Sequence, residues 1–163
     1  MSILLKLSMV SCCLFLGGLV HAVEDTGRAK VGKLEVTVYF ATNGDPTAAG
    51  ERAQEIATAI RERLRSEEKL KFDHYRALGA ETQPIFRSYE NWAQPLKPSD
   101  EILVRFETRT QPAKDSVSLD LELWLARKKI LKTDAALQAG KPLYVLGPEW
   151  RGGRLIIAVA LAS

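Results

Sequence analysis

The stretch Val117-Ser118-Leu119-Asp120-Leu121-Glu122-Leu123-Trp124-Leu125 decides the fold class. Leucine or valine at every odd position and a polar or amphipathic residue at every even one is the period of a strand with one face buried, and no helix reproduces it. The pattern continues on both sides. Glu101 to Arg109 and Lys129 to Asp134 alternate in the same way, and Arg127-Lys128 falls between two runs as a hairpin tip. Further period-two segments are Phe72 to Gly79, Thr82 to Arg87, Pro142 to Leu146 and Arg154 to Ala162, with Gly147 to Gly153 read as a Pro- and Gly-containing loop joining the last two.

Upstream, Leu34-Glu35-Val36-Thr37-Val38-Tyr39-Phe40 alternates too, and Asn43-Gly44-Asp45-Pro46 then marks a turn. Ala49, Ala53, Ile56, Ile60 and Leu64 recur at three to four residues, which predicts one amphipathic helix from Thr47 to Ser66. One helix cannot supply the crossovers a parallel sheet needs. The expected fold is α+β: mainly antiparallel β-sheet or sandwich, with one amphipathic helix after the first strand.

The N-terminus bounds the compartment. Lys6, the 13-residue run Leu7 to Leu19 and Val20-His21-Ala22 before Val23-Glu24-Asp25 form the three-part layout of a secretory signal cleaved after Ala22. A spanning helix needs ~20 apolar residues, so an anchor is the poorer reading. Lipoprotein processing at Cys12 or Cys13 is the alternative, but Ser8-Met9-Val10-Ser11 matches the required box badly. The expected organisation is a signal peptide at 1–22, a flexible lead at 23–33 and one domain at 34–163, in a protein that is periplasmic or secreted.

Cleavage removes both cysteines and His21, leaving His74 as the one histidine of the mature chain. No disulfide framework and no cysteine-containing zinc site can then form, so no metal and no cofactor is expected. It also removes Lys6 and no acid, so the formal charge falls from +3 to +2. That near-balance argues against nucleic acid as a partner.

Candidate sites each have a plainer counterpart. Asn43-Gly44-Asp45 before a helix start could hold an anion on backbone N–H groups, but the spacing of a phosphate loop is missing. His74 lies beside Asp73, yet on a strand the two point to opposite faces and cannot pair for catalysis. Asp120, Glu122 and Glu107 could serve a carboxylate-based hydrolase, or simply occupy a solvated sheet face. Arg127, Lys128, Lys129 and Lys132 form the densest basic patch, suited to an anionic surface or to a solvated turn. Trp92, Trp124 and Trp150-Arg151 are of the types enriched in binding hot spots.

Lys71-Phe72 followed by Tyr75-Arg76, then alternating strands, then Gly147-Pro148 and Gly152-Gly153-Arg154-Leu155-Ile156-Ile157-Ala158, resembles small exported bacterial proteins of an uncharacterised family over residues 71 to 161. The resemblance implies a bacterial source and the β-rich fold, and carries no activity. The expected function is that of a non-catalytic envelope protein that binds another protein or its own kind through Trp124, Arg127, Lys128, Lys129, Trp150 and Arg151. A carrier of an apolar or glycan ligand is the alternative, and the hydrolase ranks third.

Overall fold

The computed structural model describes residues 24–110 and 113–162. The expected signal peptide at 1–22, with the expected cleavage point at Ala22 and with Cys12 and Cys13, falls outside the described residues. Nine strands and one α-helix follow in order: β1 (Lys30–Thr42), β2 (Gln54–Glu55), α1 (Thr58–Ser66), β3 (His74–Phe86), β4 (Asn91–Ala93), β5 (Ile102–Thr108), β6 (Ser116–Leu125), β7 (Lys128–Gln138), β8 (Leu143–Trp150) and β9 (Gly153–Leu161). They form two antiparallel sheets, one of five strands ordered β2-β3-β1-β9-β8 and one of four ordered β4-β5-β6-β7. Among the described residues the fold is therefore the α+β sandwich with a single α-helix. No described helix is long and apolar enough to cross a membrane.

The alternation of each strand is what stacks the sheets. Leu34, Val36 and Val38 of β1 and Leu155, Ile157 and Val159 of β9 face Val104 and Phe106 of β5 and Val117, Leu119, Leu121 and Leu123 of β6, all in one buried cluster. Burying each such side chain is worth about 1.5–3 kcal/mol. A second cluster lies on the other face of the five-stranded sheet. There Tyr39, Ala41, Tyr75, Ile156 and Ala158 are covered by Ile56, Leu64 and Leu70, with Ile60 and Phe72 packed against them. Residues 155–159 are thus buried on both faces, which is why Leu155-Ile156-Ile157-Ala158-Val159 is apolar without interruption.

Four expectations are corrected. The helix is half the expected length, because Pro46–Ala49 forms a 3-10 turn that Gly50 ends at φ 94°, ψ 165°, a backbone region open to glycine. Gln54 and Glu55 then pair with Ala77 and Arg76 as β2, so a strand edge claims residues whose spacing was helical. Phe72 to Gly79 and Thr82 to Arg87 are one strand, β3, with a bulge where Val38 and Tyr39 face Gly79 and Ala77. Of the lead expected at 23–33, Thr26–Arg28 is a 3-10 turn and Lys30 onward is the start of β1.

The fourth correction concerns the hairpins. Gly147 to Gly153 is not a loop: β8 runs to Trp150, a bulge between Leu146 and Glu149 absorbs Gly147-Pro148, and the turn is Arg151-Gly152 alone. A Cβ on Gly147 would lie 2.9 Å from Ile157 and 3.0 Å from the Leu155 carbonyl, so only glycine lets β8 cross β9 there. The β6–β7 tip is Ala126-Arg127, both at positive φ (46° and 65°), and Lys128 belongs to β7. Both turns have two residues, the length whose left-handed backbone matches strand twist.

One side of the sandwich is closed by Glu81. It lies opposite Val36, on the inward face of β3, and its carboxylate accepts the backbone N–H of Gln94, the Lys97 ammonium and, at 2.9 Å, the Gln83 amide. Although burial works to raise its pKa, these bonds hold the carboxyl below its usual range.

Candidate functional site

The outward residues of the four-stranded sheet carry the densest chemistry of the described chain. Register sets them in three cross-strand rows. Trp92, Arg105, Glu122 and Lys132 form the middle row; Leu103, Trp124 and Lys129 lie on one side of it, and Glu107, Asp120 and Asp134 on the other. The last row sets three carboxylates side by side, an arrangement that is destabilising unless cations intervene.

They do. Arg109 lies 3.5 Å from Asp120 and 3.2 Å from Asp134, Lys132 lies 3.1 Å from Asp120, and Arg105 bonds Glu107 at 2.7 Å and also Glu90. Glu122 accepts Lys129 at 2.9 Å, Lys132 at 3.2 Å and the Trp124 indole N–H at 3.1 Å. The result is a lattice of alternating charge. The apolar stems of its cations cover its acids, so Asp120 and Glu122 are only 7% and 5% exposed. The solvated carboxylate face expected at these positions is instead a buried one.

The Lys129 hydrogen bond, joined by those of Lys132 and Trp124, outweighs burial and pulls the Glu122 carboxyl from its ordinary 4.5 down to about 2. Lys132 is raised in turn, first by Asp120 and then by Glu122. Asp120 Oδ1 is a buried acceptor that finds no hydrogen-bond donor among the described residues. Chemically this is a poor acid catalyst: a general acid needs a carboxyl kept protonated near neutrality, and Glu122 is held the opposite way.

Two tryptophans stand on this lattice. Trp92 and Trp124 have ring centroids 5.9 Å apart at 54°, and the Lys129 ammonium sits 5.2 Å over the Trp124 ring. Trp92 is 37% exposed, and with Tyr89 and Ile130 it is one of three exposed large hydrophobic residues among those described. Neither α1 nor the second sheet covers Trp124, because it faces outward from β6.

The structure brings Trp124 and Lys129 together and keeps Lys128 and Arg127 at the adjoining tip, where Arg127 pairs with Asp100 at 3.2 Å and both remain exposed. It sends Trp150 and Arg151 elsewhere, to the turn between β8 and β9 in the other sheet. There the Arg151 guanidinium lies 4.4 Å over the Trp150 ring, and Trp150 meets Phe40 edge-on at 5.7 Å. The expected loop tryptophan is a strand-end residue paired with Gly153.

The other candidates are spent structurally. Asp45 turns its carboxylate onto Thr47 N–H at 2.8 Å, and Gly44 N–H bonds Thr42 Oγ1 at 3.0 Å, so the proposed anion cradle is filled by the chain itself. His74 is exposed, and Asp73 lies 3.9 Å from Arg65. Among the described residues no three His, Cys, Asp or Glu side chains gather as a metal site.

Sequence reading missed Arg105 and Arg109, although their outward parity on β5 and its extension was visible. Nothing before the register could say that Arg105 stands opposite Glu122. Compared with protein-family models, with curated proteins and with solved structures, the chain matches none of them.

Proposed function

We propose that this is an exported, non-catalytic binding module that recognises another protein, or a second copy of itself, through the outer face of the four-stranded sheet. The observation that carries the proposal is the Trp92–Trp124 pair standing on a lattice of ion pairs. Exposed tryptophan beside arginine and lysine is the composition of an interface hot spot. The lattice adds preorganisation: side chains already tied to one another lose little freedom on binding, which lowers the cost of association. Its alternating signs would select a partner with the matching alternation and suppress others. Lys129 and Trp124 form the centre, with Arg127 at the rim; Lys128 pairs with the inward-packing Leu125 and does not share this face, and Trp150 and Arg151 take no part in it.

A second reading is favoured by one feature. An open groove of about 500 Å³ beside α1, lined by Arg63, Lys69, Leu70, Leu143, Tyr144 and Leu146, could hold an apolar or glycan ligand between helix and sheet.

A photo-crosslinking residue placed at position 103, opposite Trp124 on the same face and outside the ion pairs, tests the first reading in the producing cell. A single discrete adduct is expected, and Trp124→Ala in the same chain should abolish it, with the near-ultraviolet circular dichroism outside the tryptophan signal preserved. An adduct of twice the chain mass identifies a second copy. No adduct, or one indifferent to Trp124→Ala, would sink the interface; a melting temperature raised by apolar or glycan ligands would then move the function to the groove beside α1.

A further inference from the structure

A groove of about 520 Å³ opens where the β8–β9 turn meets the end of β1, within the size range of small-molecule sites. Phe72 and Trp150 line it as aromatic walls, and Arg151 and Arg154 line it as cations. The turn is clamped in place. Thr42 Oγ1 donates to the Gly152 carbonyl at 3.2 Å, and a Cβ on Gly153 would lie 2.4 Å from the Phe40 ring and 2.5 Å from the Ala41 carbonyl, so β1 and the turn touch with no room between them. A rigid turn means that both arginines are positioned before any ligand arrives.

Each guanidinium is anchored on one side and open on another. The Arg151 guanidinium carbon lies 4.4 Å over the Trp150 ring, a contact that spends no N–H on an acceptor. Arg154 spends Nε on the Gly147 carbonyl at 3.1 Å, and its one ion pair among the described residues is with Glu149, 4.0 Å away and 87% exposed. Two cations therefore face one solvated carboxylate. Of the other polar groups at the mouth, the Gly44 N–H donates to Thr42 Oγ1 at 3.0 Å, and Asn43 Oδ1 accepts the Asp73 N–H at 2.9 Å, which leaves the Asn43 amide NH2 as a neutral donor beside the two cations.

We infer that this groove binds a small ligand with a carboxylate or phosphate group joined to a planar apolar body, the oxyanion held by Arg151 and Arg154 and the body by Phe72 and Trp150. Forked guanidiniums match the paired oxygens of such anions, and the aromatic walls supply the apolar contact. The site is independent of the four-stranded sheet, and either can fail without the other.

The test uses a chain with Trp92→Phe and Trp124→Phe, which leaves Trp150 as the one tryptophan of the three. Its emission is followed on titration with phenyl phosphate, with benzoate and with neutral benzyl alcohol, and calorimetry on the unaltered chain repeats the ranking. One or both anions should give a saturable change at millimolar concentration, and the stronger of them identifies the oxyanion as phosphate or carboxylate. Benzyl alcohol should give none. Arg154→Gln should weaken the anion about tenfold, as expected for one lost charged hydrogen bond, and Arg151→Lys should weaken it less. An equal response to benzyl alcohol, no saturation by about 10 mM, or unchanged binding in both variants would overturn the site.

Discussion

The outer faces of the two sheets solve the same problem with opposite materials. On the five-stranded sheet, Tyr39, Ala41, Ile156 and Ala158 point outward and are apolar, and α1 lies over them with Leu64 fully buried. On the four-stranded sheet, Arg105, Asp120, Glu122 and Lys132 point outward and are charged, and no helix covers them. Two of those charges are nevertheless buried, by the stems and charges of their neighbours. Burial is therefore no signature of hydrophobicity here. A sheet face can be covered by another element or by its own long side chains, and only the second kind leaves a patterned, polar surface for a partner.

If that contrast is right, substitutions on the two faces should fail differently. Leu64→Ala should have the largest effect. α1 has nine residues, no side-chain N-cap bond at Ala57, and Leu64 as its one fully buried side chain. So short a helix is held by packing rather than by its own propensity. Equilibrium denaturation should report a loss of about 2–5 kcal/mol, and a loss below about 1 kcal/mol would mean that α1 does not depend on its apolar contact.

Glu122→Gln should have a smaller effect whose signature is its pH dependence. The folded protein holds this carboxyl at about 2 against an ordinary 4.5, so the ionised form is favoured by folding. Its stabilisation is complete above pH 4.5 and is lost as the pH falls from there toward 2. In melting curves the variant should be less stable at neutral pH and should converge on the unaltered protein over that interval. Parallel curves would show that the lattice is not what orders this face.

Arg127→Ala should do least. Its pair with Asp100 joins side chains 84% and 57% exposed, and such pairs contribute about 0–1 kcal/mol. A melting temperature within error of the unaltered protein is expected, and a marked drop would mean that the tip belongs to the ordered lattice rather than to its rim.

The legibility of the chain follows the same division. β5 and β6 were readable because the sandwich interior imposes period two on a strand whose other face is polar, whereas β9, buried on both faces, is an unbroken apolar run at its centre and carries no such alternation there. The helix was overextended because Ala49, Ala53 and Ile56 have helical spacing, while Gly50 and the pairing of β2 with β3, which override it, act through the backbone and leave no periodic mark. The Trp150 region was read as a loop for a related reason: Gly147, Pro148 and Gly153 are turn residues by habit, and here glycine is required by the close approach of β9 and β1. Trp124 and Lys129 could be named from the sequence as separate candidates, but not as neighbours. Nor could their separation from Trp150 and Arg151 be read there, since these lie on strands of different sheets.

Taken alone, the order of residues determined that this protein would be an antiparallel β structure with one amphipathic helix, because alternation and helical spacing are local and each strand carries its own. What only the tertiary structure decided is which outward charges meet. Asp120 and Glu122 read as solvated until the register set Lys132, Lys129 and Arg105 against them, and a register is a property of two strands at once, so neither strand can state it by itself.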